Sequence, residues 1–223
     1  MGAGDIGWCG SEGPERTARL LDRIPGTIFT TAPGNHDYET AGASGYFTYF
    51  GSLAGPPGLG YYSFDLGGWH IVSLNSNVSM QAGSAQEQWL QADLRSATPC
   101  LLAFWHHPLF SSGPHGNDDR SFDIWQTLYE RGADVVLNGH DHLYERFAPQ
   151  TPAGAIDSRG IREFIVGTGG ALPYDATARR PNSEMIYSGA FGVLKLTLTR
   201  STYRWEFVSV EGRVVDEGSS VCG

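Results

Sequence analysis

Seven histidines occur among 223 residues, and five of them fall into three short clusters. His36 lies in Gly34-Asn35-His36-Asp37, His106 and His107 precede Pro108, and His140 and His142 lie in Gly139-His140-Asp141-His142. Imidazole, carboxylate and amide oxygen together suit borderline-hard ions such as zinc, iron and manganese. A His-x-His pair on extended backbone points both rings to one side, so it can serve one ion or bridge two neighbours. Two ions ~3.5–4 Å apart can clamp a phosphoryl group and generate hydroxide at the same time. Taken singly, an Asn-His-Asp turn is ordinarily a hydrogen-bonded loop and a His-His pair is ordinarily structural. Their conjunction points to a metal centre. The chain has no Gly-x-Ser-x-Gly nucleophile elbow and no Walker-type phosphate loop.

Apolar runs that read as strands lead into all three clusters: Thr27–Thr31, Cys100–Trp105 and Ala133–Leu137. In open α/β sheets, ligands bind in loops at the carboxyl ends of strands, so three such ends can converge on one point. Gly4-Asp5-Ile6-Gly7 is a fourth polar loop near the amino end. Helices are predicted over Pro14–Ile24, over Gln86–Ala97 behind a Ser84/Glu87 capping box, and over Ser121–Arg131. Gly67-Gly68 between Tyr61–Leu66 and Trp69–Asn75 reads as a hairpin turn. Further strands are expected at Arg162–Val166, Gly192–Thr199, Tyr203–Val208 and Arg213–Val215, while Gly42–Gly60 has no clear period. The pattern is one domain with sheets packed between helices. His70, between Trp69 and Ile71, reads as structural, and His115 as either a surface or a substrate-contacting residue.

Composition narrows the function. Apolar residues make up 40% and charged residues 17%, which excludes a disordered or coiled-coil chain. The net charge of −9 argues against nucleic-acid binding, which needs a basic face. No apolar run approaches the ~20 residues of a membrane span. Cys9, Cys100 and Cys222 permit at most one internal disulfide, and their separation excludes a zinc finger. The start, Met1-Gly2-Ala3-Gly4, carries no signal-peptide pattern, so a cytosolic or mature chain is expected.

In this order the motifs resemble those of the calcineurin-like metallophosphoesterases, most closely the purple acid phosphatase-like branch. The matching residues are Asp5-Ile6-Gly7, Gly34-Asn35-His36-Asp37, Ala103-Phe104-Trp105-His106 and Gly139-His140-Asp141-His142, extended by Tyr144-Glu145-Arg146. The resemblance spans roughly Gly4 to Gly218. It implies a mixed α+β, α/β fold, a ββ sandwich flanked by helices (αββα). It also implies two divalent or trivalent metal ions (Fe, Zn or Mn), the first held by Asp5 and His142 and the second by Asn35, His106 and His140. His36 would contact the scissile phosphate or protonate the leaving oxygen, with Asp37 orienting it, and His107 and His115 would line the substrate pocket. The implied chemistry is attack of a metal-held hydroxide on phosphorus, in line with the leaving alkoxide. Relatives in this branch are often exported.

One motif of the family has no counterpart. Between Asp5 and Asn35 the family carries Gly-Asp-x-x-Tyr, whose Asp bridges the two ions and whose Tyr binds ferric iron in the purple enzymes. Here Thr27–Thr31 runs straight into Ala32-Pro33-Gly34-Asn35, and Glu12, Glu15 and Asp22 all precede that strand. The chain therefore reads as a single domain, residues 1–223, lacking the segment with the second metal motif between residues 31 and 33. Two cations held close repel unless a carboxylate bridges them, and Asp37 and Asp141 are the nearby substitutes. The sequence thus predicts a metal-dependent esterase for phosphomonoesters or phosphodiesters, with a small phosphorylated substrate and neither nucleic acid nor membrane as partner. The alternative is a degenerate family member, non-catalytic or with one metal. A different metallohydrolase using the same histidines is disfavoured, because an Asn ligand is characteristic of the phosphoesterases.

Overall fold

The computed structural model describes residues 2–3 and 29–223. The helix expected over Pro14–Ile24, the Asp5 loop and Cys9 lie outside the described residues. β1 (Gly2–Ala3) pairs in parallel with β2 (Thr31–Ala32). A short helix, α1 (Ser44–Phe50), sits within the stretch that shows no period in sequence. Tyr46 and Phe50 of α1 pack with Ala43 and Ala54 in a small cluster of their own.

β3 (Tyr62–Leu66) and β4 (Trp69–Ser73) form the expected hairpin, with Leu66 opposite Trp69. Its turn residues Gly67 and Gly68 have φ of 62° and 93°, the left-handed region that a two-residue hairpin turn requires. His70 bridges the hairpin to the next helix, with Nδ1 2.8 Å from Asp65 and Nε2 2.8 Å from Asp93. That is the structural role expected of it.

The next helix, α2 (Ala85–Asp93), starts where the Ser84 side chain accepts the Glu87 N–H. It is shorter than expected because the chain tightens into i→i+3 turns at Arg95 and Ser96. β5 (Cys100–Phe104) follows, then α3 (Phe122–Glu130). Gly132 (φ 74°) ends α3, and Ala133 N–H bonds back to Leu128 O. Because Ala133 serves that cap, β6 begins later than the apolar run does and covers Val135–Asn138.

β7 (Tyr144–Phe147), β8 (Arg162–Val166) and β9 (Ser183–Tyr187) complete a seven-stranded sheet in the order β3-β4-β5-β6-β8-β7-β9. Its central strands β4, β5, β6 and β8 are parallel. β10 (Gly192–Leu198), β11 (Thr202–Ser209) and β12 (Val214–Val221) form a second, antiparallel sheet.

Alternation along β5 shows how the layers meet. Leu101, Ala103 and Trp105 face Leu90, Ile124, Trp125 and Leu128 of the two nine-residue helices. Cys100, Leu102 and Phe104 face Leu196, Trp205 and Phe207 of the second sheet. The described residues therefore stack as helices, sheet and sheet: the expected sandwich of two sheets, with helices flanking the seven-stranded sheet. The outer face of the second sheet carries ion pairs such as Lys195–Glu206 at 2.9 Å and Arg204–Glu217 at 2.8 Å.

Two devices lock the sheets together. A disulfide joins Cys100 at the start of β5 to Cys222 after β12, which uses the single internal pair that three cysteines allow. Asp216 of β12 accepts from Tyr144 Oη (2.6 Å), Arg146 Nε (2.8 Å) and Trp205 Nε1 (3.1 Å). Tyr144 also stacks on Phe207 at 4.1 Å, so the strand that follows His142 is fastened to the second sheet by both ring and hydroxyl. No helix among the described residues is long and apolar enough to cross a membrane.

Candidate metal centre

The expected strand ends do converge. Asn35 follows β2, His106 follows β5, and His140 follows β6. Asn35 Oδ1 lies 2.8 Å from His106 Nε2 and 3.1 Å from His140 Nδ1, and the two ring nitrogens are 3.1 Å apart. An amide oxygen only accepts. If both rings donated to it, their N–H groups would oppose each other. A shared cation removes this conflict, and donors ~2.1 Å from one ion stand roughly 3.0–3.4 Å apart. The donor set therefore fits a metal ion.

His140 has φ of 66°, a left-handed conformation rare outside glycine and concentrated at functional sites. The loop that carries it is boxed in by two glycines. A Cβ on Gly167, just past β8, would overlap the Asp141 carbonyl oxygen and lie 2.7 Å from its carbon. A Cβ on Gly113 would collide with the Asp141 carboxylate.

The remaining expected residues take distinct places. His142 points Nδ1 at Leu172 O (3.2 Å) and stacks on Tyr174 at 4.8 Å. A backbone carbonyl on one ring nitrogen is the usual support of a metal-ligating histidine, so Nε2 is the nitrogen that would face an ion. Asp5 lies outside the described residues. His36 opens a 3-10 turn (His36–Glu39), and its Nδ1 lies 2.6 Å from Glu39 Oε1. Asp37, expected to orient that ring, accepts the Gly34 N–H at 2.8 Å and thereby fixes the turn that presents Asn35.

His107 is buried, with Nδ1 2.8 Å from Ser76 Oγ and Arg120 3.4 Å away. Burial, then the neighbouring His106, His140 and Arg120, push its pKa down to about 2, so the ring stays neutral. It forms a wall behind the cluster, its ring 4.5 Å from that of His140. His115 stands on the rim with its side chain half exposed, its ring 4.2 Å from that of His140.

Asp141, one of the two carboxylates named above as substitutes for the bridging one, is fully buried and committed elsewhere. It accepts from Ser111 Oγ, from His115 Nδ1 (2.8 Å) and from Tyr174 Oη (3.0 Å). Burial works against its charge, but the bonds from Ser111, His115 and Tyr174 prevail and hold its pKa below the usual carboxylate value.

Ser76, Arg120 and Tyr174 complete the surroundings, and no motif in the sequence marks them. Ser76 follows β4 and Tyr174 lies beyond β8. The strand-end rule reaches both, but neither loop carries a histidine to draw attention to it.

A family model described as calcineurin-like phosphoesterase matches residues 2–144. Probable purple acid phosphatase 20 of Arabidopsis thaliana is 34% identical over 174 residues, covering 72% of this chain and 40% of that protein. Purple acid phosphatase 15 of the same plant is 33% identical over 165 residues, covering 68% of this chain and 30% of that protein. The chain thus spans well under half the length of these curated relatives. The structure of purple acid phosphatase PPD1 from yellow lupin (Lupinus luteus) seeds superposes with a TM-score of 0.85 at 21% identity, covering 97% of this chain and 45% of that chain. That likeness is one of fold. The family model matches more than half of the sequence, and the chain belongs to the calcineurin-like phosphoesterase family, with purple acid phosphatases among its relatives.

Proposed function

We propose that this chain is a metal-dependent phosphoester hydrolase acting on phosphomonoesters or phosphodiesters. The observation that carries the proposal is the meeting of Asn35 Oδ1, His106 Nε2 and His140 Nδ1, each pair within 3.1 Å. These three would hold one ion, and Asp5 with His142 a second. The mixed oxygen and nitrogen donor set suits iron, zinc or manganese. Bound ions supply Lewis acidity at a phosphoryl oxygen and acidify a water molecule.

The chain's own residues do the rest. His36, next to the ligand Asn35, contacts the phosphate or gives a proton to the leaving oxygen. Glu39 accepts at its Nδ1 and so orients the ring. His115 approaches the substrate from the rim. His107, neutral and buried, shapes the wall that keeps His106 and His140 in register.

The test is hydrolysis of p-nitrophenyl phosphate and bis(p-nitrophenyl) phosphate by protein supplied with iron, zinc and manganese. A chelator should abolish turnover, and His140→Ala should reduce it to background. A folded, metal-loaded protein that turns over neither ester would overturn the proposal and leave the non-catalytic alternative. That alternative draws on the absent Gly-Asp-x-x-Tyr motif.

A further inference from the structure

Between the two candidate ligands His140 and His142 sits a residue whose side chain serves neither of them. The Asp141 carboxylate is turned into the loop that follows β5 and is fully buried there. One oxygen accepts the His115 backbone N–H (3.2 Å), the His115 ring Nδ1 (2.8 Å) and Tyr174 Oη (3.0 Å), and the other takes Ser111 Oγ. The space it fills is the space a side chain at Gly113 would need. The loop itself, Ser111-Ser112-Gly113-Pro114-His115-Gly116, has little apolar character to hold it. The His115 side chain is half exposed, and Asp141 is the buried group on its ring.

We propose that Asp141 is a positioning residue that acts through His115. Its carboxylate fixes the ring by Nδ1 and aims Nε2 at the phosphoryl group held beside His140. This rests on the reading of the site as a phosphoester-binding centre. The chemistry follows from the inventory of the ring. An acceptor on Nδ1 selects the tautomer and the plane, leaving Nε2 as the atom that meets substrate. The backbone of Asp141 joins the two candidate ligands, so the bond also fixes the distance from His115 to the metal centre. A carboxylate that only tied the loop down would affect stability. One that aims His115 affects ligand affinity, and does so only while His115 is present.

The experiment is a double-mutant cycle on the metal-supplied full chain. Its readout is the affinity for inorganic phosphate by titration calorimetry, with metal content measured on each sample. Asp141→Asn should weaken phosphate binding by ~10-fold or more, the scale of lost outer-shell support, at wild-type metal content. In the His115→Ala background the same change should cost no more than about twofold, because coupled residues are not additive. Equal losses in both backgrounds, no loss in either, a loss that tracks missing metal, or a wild-type chain that binds no phosphate each overturn the assignment. Should Asp141→Asn not fold, Ser111→Ala loosens the other carboxylate oxygen and runs the same cycle with the same expected pattern. A chain that shows the coupling yet hydrolyses no ester leaves this inference standing and removes the hydrolase proposal instead.

Discussion

Gly167→Ala puts the packing behind the candidate metal centre to a direct test. The added Cβ would overlap the Asp141 carbonyl oxygen, lie 2.7 Å from the Asp141 carbonyl carbon and 3.1 Å from the His142 Cα. Ordinary carbon contacts are ~3.5–4.0 Å, so the carbonyl carbon alone demands a retreat of about 0.8 Å by the backbone between His140 and His142, and the overlapped oxygen demands more. Metal sites tolerate ligand displacements of only ~0.2 Å. The strain should cost ~1–3 kcal/mol, the range for overpacking, and lower the melting temperature by roughly 2–12 °C at ~2–4 °C per kcal/mol. Two assays read the result: melting followed by circular dichroism in the presence of a chelator, and metal content by elemental mass spectrometry after dialysis. Gly169→Ala is the control, since a Cβ there meets nothing within 4 Å. The expectation is a lower melting temperature and lost metal for Gly167→Ala alone. Wild-type metal content and melting in Gly167→Ala, or equal damage from Gly169→Ala, would refute the reasoning.

Three further perturbations test the frame that carries the centre. The folded-state pKa of His70 is raised: burial opposes the charge, but the bonds to Asp65 and Asp93 outweigh it. Its stabilising contribution is therefore full below the unfolded value of ~6.5 and is lost as pH rises through the higher folded value. The stability difference between wild type and His70→Gln, measured in urea with a chelator present, should shrink across that window; a difference that grows with pH contradicts the assignment. Asp216→Ala leaves Tyr144, Arg146 and Trp205 donors without their acceptor and should cost ~3–5 kcal/mol in urea unfolding; a loss below about 1 kcal/mol, the scale of a single net hydrogen bond, would show that Asp216 is not the clamp between the sheets. Cys222→Ser opens a loop closed across 122 residues and should cost ~2–4 kcal/mol, with no loss for wild type under reducing conditions counting against it.

Much of this arrangement was legible in the residues. The hairpin was readable because Gly67-Gly68 supplies two left-handed positions, and β5 because Cys100–Phe104 is continuously apolar and buried on both faces. That the three clusters could meet was readable because each follows an apolar strand, whereas the choice of Asn35, His106 and His140 as the members that meet came from the family resemblance. Other parts left no periodic trace. β12 runs on through Asp216-Glu217-Gly218-Ser219-Ser220, where cross-strand pairing with β11 rather than apolar character defines the strand. β7 contains Glu145 and Arg146, charged residues that hydrogen bonds to Ser112 and to Asp216 make tolerable inside the fold. The commitment of Asp141 was hidden for another reason. A carboxylate between two histidines reads as a ligand, and only its contacts with Ser111, His115 and Tyr174 reveal a different task.

The central claim is that Asn35, His106 and His140 hold a metal ion. The most direct measurement is the metal content of purified wild type and of Asn35→Ala and His140→Ala, by elemental mass spectrometry after growth with iron, zinc and manganese and exhaustive dialysis. The claim predicts at least one tightly held ion per wild-type chain and its loss from both variants, each folded by circular dichroism. A wild-type chain that retains none, or variants that retain as much as wild type, would contradict it.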